Sequence, residues 1–570
     1  MDFSDIDMND FMDVDDIDVK PGVPIKKEQP PVKLDSKPVY NGATTPKKDD
    51  LIAPSWLSIS INALEDDGSL HMFWWTYLEH SGKLYLIGKV KDKTSNAWAS
   101  ACLSIQGIQR NLFILPRPLR VIQEESEDGQ VEIVETDVVP EKGDVYSDFE
   151  RIRREIGIKS WKARWVTRKY AFDYKDIPKE TEWMKVLYSY EEQQIPMDAC
   201  SPNIYKIFGT STSIFELFVL KRKIMGPCWL TIKNPKVEHE GISWCKLEAN
   251  VSDPKDVIPM VDGAPEPPPL TIMSLAVRTV VNHRENKREV VCVSGRIWRD
   301  VQLDDPTPPE QLPCSVHTFV RPLDRFPSNF ESRAKVNGKG MISPMQNERM
   351  LLNNLLVTLF NADPDVLVGH DFLGVSLDVL LGRMKDLKAE HWSRLGRFRR
   401  AKWIPIGRQG TNIKFLSGRL LCDLASDGAR SMISSTTWSL TEMCKTHLKS
   451  ERQDIDPDDT ASYFDGSCFL AGYMAIASKV QILPLTRQLT NLAGNAWNKT
   501  LNGGRAERNE YILLHEFHKL KYIRPDKTFG KKAPKIEPEP DDADGEGGGT
   551  KASKAKRDKY KGGLVFRTQA

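Results

Sequence analysis

The chain has 570 residues, 40% hydrophobic and 28% charged, with 14 Trp and 21 Phe, which is core material for two or three domains and excludes a collagen-like or wholly disordered chain. Lysine plus arginine (80) nearly cancels aspartate plus glutamate (79), so any polyanion site must come from local clustering rather than overall charge. No apolar run reaches the ~18 residues of a membrane span, the acidic start is not that of a secretory signal, and the nine cysteines, none in CxxC spacing, suit a reduced compartment without a zinc module.

Residues 1–50 hold eight Asp in the first eighteen positions, then a Pro- and Lys-rich stretch, and are expected to be disordered. Phe3, Ile6, Met8, Phe11 and Met12 interleave with the acids, the composition of a short motif that folds onto a partner; a solvated acidic tail is the alternative. From Leu51 the runs WLSISINALE, HMFWWTYLEH and KLYLIGKV read as strands, with Gly82 in a hairpin turn. After SACLSIQGIQRNLFILPRP the pattern predicts a helix over 147–157, strands at KYAFDY and LYSYEE, and a helix opened by a Ser213/Glu216 capping box. PCWLTI, SWCKLEA and the linker DGAPEPPP close an α+β domain over 51–265.

A second unit follows over 266–482. LTIMSLAVRTVV and VVCVSGRIW form a predicted hairpin, QNERMLLNNLLVTLFNA a helix with Leu351, Leu352, Leu355 and Leu359 on its apolar face, then come strand DVLVGHD, helix SLDVLLGRMKDL and strand GRLLCDL. That order is expected of a mixed α/β sheet. TASYFDGSCFLAGYMAIASKV is expected to end helically, and 486–518 to give one or two helices. Residues 525–558 are low-complexity and charged, and no repeat suggests a solenoid or propeller.

P-loop, dinucleotide, GxSxG and HExxH motifs are absent. Nucleotide chemistry in such a fold would rest instead on strand-end carboxylates holding two metal ions. The stretches 270–279 and 367–376, with IFGTSTSIFELFVLKRKIMGPCWL, SWCKLEA and QILPLTRQLTNLAGNAWNKTLNGGRAERNEYILLHEF, resemble the B-family DNA polymerases over about 52–570. In proofreading members the first exonuclease motif is D-x-E; Ala276 and Arg278 stand in those places. The second ends in Asp, where this chain has Ser376. The third, Y-x(3)-D, should fall in 460–475, but Tyr463 is followed four positions on by Ser467.

The resemblance implies an α/β and α+β multidomain chain. A bipartite N-terminal α+β domain (51–265 and helices in 483–524) would be interrupted by an RNase H-like, exonuclease-like domain with a mixed sheet (266–482), without metal and without 3′–5′ exonuclease activity. Tyr560-Lys561-Gly562-Gly563 is similar to the family's template-touching Y-x-G-G motif, with 559–570 as the start of a truncated palm, since SLYPS-like and YGDTDS-like segments are absent. The resemblance implies a replicative member of the family, one that synthesises DNA on a template from RNA primers when replication initiates. This chain is expected to be inactive alone and to carry no cofactor, Mg²⁺ being implied for full-length relatives. The implied partners are DNA template, RNA–DNA primer, primase subunits and the polymerase's B subunit. Residues 1–20 offer a docking motif for a replisome partner. The implied compartment is the nucleus, with no membrane. The alternative is a non-catalytic scaffold that recruits replication partners. A stand-alone nuclease would need carboxylates that Ala276, Arg278 and Ser376 do not supply.

Residues 394–408 contain six Lys or Arg with Phe398 and Trp403 between them, the make-up of a single-strand groove. Arg397, Arg399, Arg400, Lys402 and Trp403 are the candidate contacts, a solvated loop or a core Trp403 being the alternative. Arg505 and Arg508 are further candidates, unless they pair with Glu507 and Glu510. WKARWVTRK (161–169) is similar in composition. His370 and Asp371 are expected to be structural.

Overall fold

The computed structural model describes residues 61–527, apart from 126–130, 335–340, 431–436, 450–476 and a few single positions. Apolar runs give β1 (Leu70–His80), β2 (Lys83–Lys91) and β3 (Trp98–Ile105). The β1–β2 turn holds Ser81 at φ 49° and Gly82 at φ 75°, the left-handed pair a tight hairpin needs. The register shifts at a bulge between Trp74 and Thr76, and Gly88, opposite Trp74, has no room for a Cβ, which would run into the Phe73 carbonyl oxygen. β4 (Gln109–Pro116) leads to the hairpin β5 (Val121–Glu125) and β6 (Val131–Glu135), then α1 (Lys142–Ile156). This helix starts before the expected residue 147 because Glu141 and Asp144 cap it reciprocally, with Glu where Ser or Thr is the usual signal.

Next come β7 (Trp161–Tyr170), β8 (Glu180–Ser189), β9 (Ile204–Phe208) and α2 (Ile214–Arg222), followed by β10 (Trp229–Ile232), β11 (Lys236–Val237), β12 (Leu247–Val251) and β13 (Val257–Pro259). At α2, Ser213 Oγ accepts from Glu216 N at 3.1 Å as expected. The Glu216 carboxylate, however, takes Arg524 Nη2 at 2.7 Å rather than completing a capping box. One sheet runs β11-β12-β3-β2-β1-β10-β13.

The second region opens with β14 (Leu270–Asn282), β15 (Lys287–Val301), β16 (Cys314–Val320) and β17 (Met341–Pro344). α3 (Glu348–Ala362) buries Leu351, Leu352, Leu355 and Leu359. β18 (Val366–Gly369), a π-helical turn at Phe372–Ser376, α4 (Leu377–Asp386) and β19 (Leu420–Asp423) complete a six-stranded sheet, β17-β16-β15-β14-β18-β19. It is mixed: β15 pairs antiparallel with β14 and β16, while β14, β18 and β19 run parallel.

The region 486–518 holds parts of three helices, not one or two, because Gly494, at φ 73°, ends α5 (Ile482–Ala493), and Gly503 and Gly504 separate α6 (Trp497–Asn502) from α7 (Arg505–Lys519). The chain then pairs β20 (Tyr522–Ile523) in parallel with β7, completing a sheet β20-β7-β8-β4-β9. Asp526 fixes this return by accepting from Gly209 N, Ser211 N and Ser211 Oγ at 3.1, 3.2 and 2.8 Å. Phe73, Trp75 and Tyr85 of the first sheet share one core with Leu270, Trp298, Val366, Phe398 and Leu420. Removing that apolar surface from water holds the first sheet against the six-stranded one.

Candidate nucleic-acid interface

Parallel strands present ligand-binding loops beyond their carboxyl ends. Here Ala276 lies two residues past Ser274, the last β14 residue paired with β18, and faces Ser294 of β15. Arg278 pairs in register with Cys292, and Ser376 ends the π-helical turn that leads into α4. The acids at this edge are Asp371 and Asp423. Asp423 Oδ2 accepts from Leu373 N at 2.8 Å and Oδ1 from Ala425 N at 3.1 Å. Partial desolvation, then the Asp423 charge, raises Asp371 above the ordinary carboxylate value. His370 Nε2 lies 2.7 Å from the Trp438 carbonyl oxygen, a structural contact.

Among the described residues no three His, Cys, Asp or Glu are grouped to hold a metal ion. The residue chemistry explains why Mg²⁺ does not fit this edge: Ala276 offers a methyl group, Arg278 a cation, and Asp423 has both oxygens engaged by backbone amides. The third motif's expected place, 460–475, lies outside the described residues.

The basic segment 394–408 divides. Arg397 is corrected as a DNA contact: it is wholly buried, its Nε 2.9 Å from Asp363 Oδ1 and its Nη2 2.8 Å from Asp365 Oδ1, because a buried guanidinium requires paired carboxylates. Trp403 stacks on Trp392 at 4.2 Å and 17° and also meets Phe415, which suits the packing alternative. Arg399 and Arg400 are half-buried and Lys402 is exposed. Burial lowers both arginines from their ordinary pKa.

Arg505 is exposed and Arg508 half-buried in the first turn of α7. Burial, then the Arg505 charge, lowers Arg508. Glu507 pairs with Lys499 at 3.3 Å rather than with the arginines. Tyr560, Lys561, Gly562 and Gly563, and the acidic residues 1–20, lie outside the described residues. Sequence reasoning missed Trp244, which carries Arg394 and Arg399 against its ring; only the buried-looking SWCKLEA run hinted at it.

Residues 205–443 match the DNA polymerase family B exonuclease domain. The chain is 34% identical over 523 residues to the DNA polymerase alpha catalytic subunit of Xenopus laevis, covering 88% of this chain and 35% of the relative. To the DNA polymerase alpha catalytic subunit of Mus musculus it is 32% identical over 612 residues, covering 99% of this chain and 41% of the relative. The chain thus spans well under half the length of these relatives. A solved structure of the family B DNA polymerase from the archaeon Pyrobaculum calidifontis shares the fold, with a TM-score of 0.50 and 13% identity over 81% of this chain and 52% of that one. Residues 205–443 are therefore a B-family DNA polymerase exonuclease domain, in a chain that is similar along most of its length to DNA polymerase alpha catalytic subunits.

Proposed function

We propose that this chain supplies the N-terminal and exonuclease-like region of a replicative polymerase of the alpha type, acting in the nucleus and holding template DNA without degrading or extending it. The observation that carries the reading is the similarity to the polymerase alpha catalytic subunit over 88% of the chain. Ala276 and Ser376 at the strand-end edge support a task other than proofreading. The partners this reading calls for are template DNA, an RNA–DNA primer, primase subunits and a B subunit. Nucleotide transfer would belong to palm carboxylates that hold two metal ions, and Mg²⁺ would serve there.

Arg400, Lys402, Arg505 and Arg508 are among the cations that would meet phosphates. Each such contact to a single strand contributes about 0.7 to the slope of log K against log salt. Affinity for fluorescent oligo(dT) should fall steeply with salt, and R400A/K402A or R505A/R508A should flatten the slope by about 1.4 per pair. Wild-type chain that ignores oligo(dT) and primer–template DNA at low salt would sink the proposal.

A further inference from the structure

Residues 242–244 and 397–399 run side by side: Ser243 bridges Phe398, Trp244 N donates to Arg397 O at 2.7 Å, and Arg399 N to Ile242 O at 2.8 Å. The Trp244 indole donates to Ser393 Oγ at 3.3 Å. Around this fixed ring sit two guanidiniums, Arg399 with Cζ 4.4 Å and Arg394 with Cζ 5.0 Å from the centroid. Arg394 also lies 4.2 Å from the Phe360 ring, near the end of α3. Cation–π contacts of this kind hold a guanidinium plane while leaving its N–H edge to bond outward.

Among the described residues neither cation has a carboxylate partner of its own. Arg394 Nε is buried with no hydrogen bond, and Arg399 Nε donates to the Ser243 carbonyl at 2.7 Å. Glu248, the acid whose field reaches Arg399, is committed to Gly241 N, Ser243 N and Ser243 Oγ at 2.7, 2.6 and 2.6 Å. Glu390 pairs with Arg349 at 3.3 Å. Burial depresses Arg394, and Arg399 depresses it further. His391, 5.9 Å from Trp244, is lowered by burial and then by Arg394. The ring therefore gathers positive charge that an anion would relieve.

We infer that Trp244, Arg394 and Arg399 form a seat for a phosphodiester group of single-stranded nucleic acid. This rests on the reading of the chain as a template-holding polymerase region. A phosphate has oxygens enough to accept from both guanidiniums, and a strand continuing past it meets Arg400 and Lys402, the next cations along the chain. Arg397, which anchors the segment, binds Asp363 and Asp365 just ahead of β18. Asp371 and Asp423 lie at the other ends of β18 and β19. The seat is thus distinct from the degenerate exonuclease edge.

The test uses the full chain and fluorescein-labelled oligo(dT), with anisotropy titrations at several salt concentrations. R394A/R399A should flatten the log K–log salt slope by about 1.4, so its deficit against wild type shrinks about 25-fold for a tenfold rise in salt. R394K/R399K, which keeps both charges, should restore the slope. Where the alanine pair melts early, R394Q alone must flatten the slope by about 0.7. An unaltered slope in folded R394A/R399A, with losses in R400A/K402A or R505A/R508A, overturns the seat and leaves the wider reading standing. No binding by wild type overturns both. Loss of binding to a poly-glutamate peptide in R394A/R399A, with oligo(dT) binding intact, assigns the cluster to a protein and overturns the inference.

Discussion

Asp365 holds the Lys89 ammonium at 2.6 Å with both side chains buried, tying β2 of the first sheet to the residue that leads into β18. Thr271 N donates to the same carboxylate at 2.7 Å, and Lys89 also donates to the Pro269 carbonyl at 2.7 Å. Arg397 spans Asp365 and Asp363, and Arg419 Nη1 reaches Asp363 at 3.1 Å. Buried charges of this kind add little net stability over apolar packing, but removing one partner strands the others.

Asp365→Asn should therefore cost about 3–5 kcal/mol, since Lys89 loses its carboxylate partner and Arg397 one of its two. Lys89→Met should cost less, because Asp365 keeps Arg397 and Thr271. Urea denaturation of the two variants checks the order, and a Lys89→Met loss equal to that of Asp365→Asn would contradict it.

Acid sensitivity should trace to Asp363. Burial alone would raise its carboxyl, but Arg397 and then Arg419 outweigh that and hold it well below the usual carboxylate range. A folded-state value below the unfolded ~3.9 means its contribution is complete above that pH and is lost as pH falls below it. The drop in urea midpoint from about pH 6 to about pH 3 should be smaller in Asp363→Asn than in wild type. An equal drop would assign the acid sensitivity to other groups.

Trp403→Ala should lower thermal stability by about 3 kcal/mol, because it uncovers Trp392 and Phe415. Any loss of DNA affinity should follow the unfolded fraction and leave the salt slope unchanged. A loss of DNA affinity in a folded variant, at an unchanged salt slope, would return Trp403 to the DNA path.

Much of this architecture was legible because periodicity and turn chemistry act locally. The β14–β15 hairpin, the leucine face of α3, β18 and β19 follow from apolar runs, and Gly82 marks its own turn. The start of α1 and the end of α5 were not, since Glu141 is an uncommon cap and Gly494 sits within a helical pattern. The interface was only half legible for a related reason. Arg397 and Arg399 are two residues apart, so a strand-like backbone predicts the same surroundings for both, yet Arg397 meets Asp363 and Asp365 while Arg399 meets Trp244. Those partners come from distant segments, and spacing along the chain carries no record of them.

Ala276→Asp with Ser376→Asp should not create metal-dependent nuclease activity. Arg278 still brings a cation to the edge, and Asp423 remains bound to Leu373 N and Ala425 N. Degradation of single-stranded DNA that appears with Mn²⁺ in the double variant would show that the edge needs only its carboxylates restored.

The most direct test of a template-holding, non-catalytic region is one gel assay with end-labelled primer on template, the purified chain, Mg²⁺ and all four dNTPs. On a native gel the DNA should be retarded, and on a denaturing gel of the same reaction the primer should keep its length. A shortened primer would place a working exonuclease at the β14–β18 edge, an extended one would place a polymerase site in this chain, and either would contradict the account.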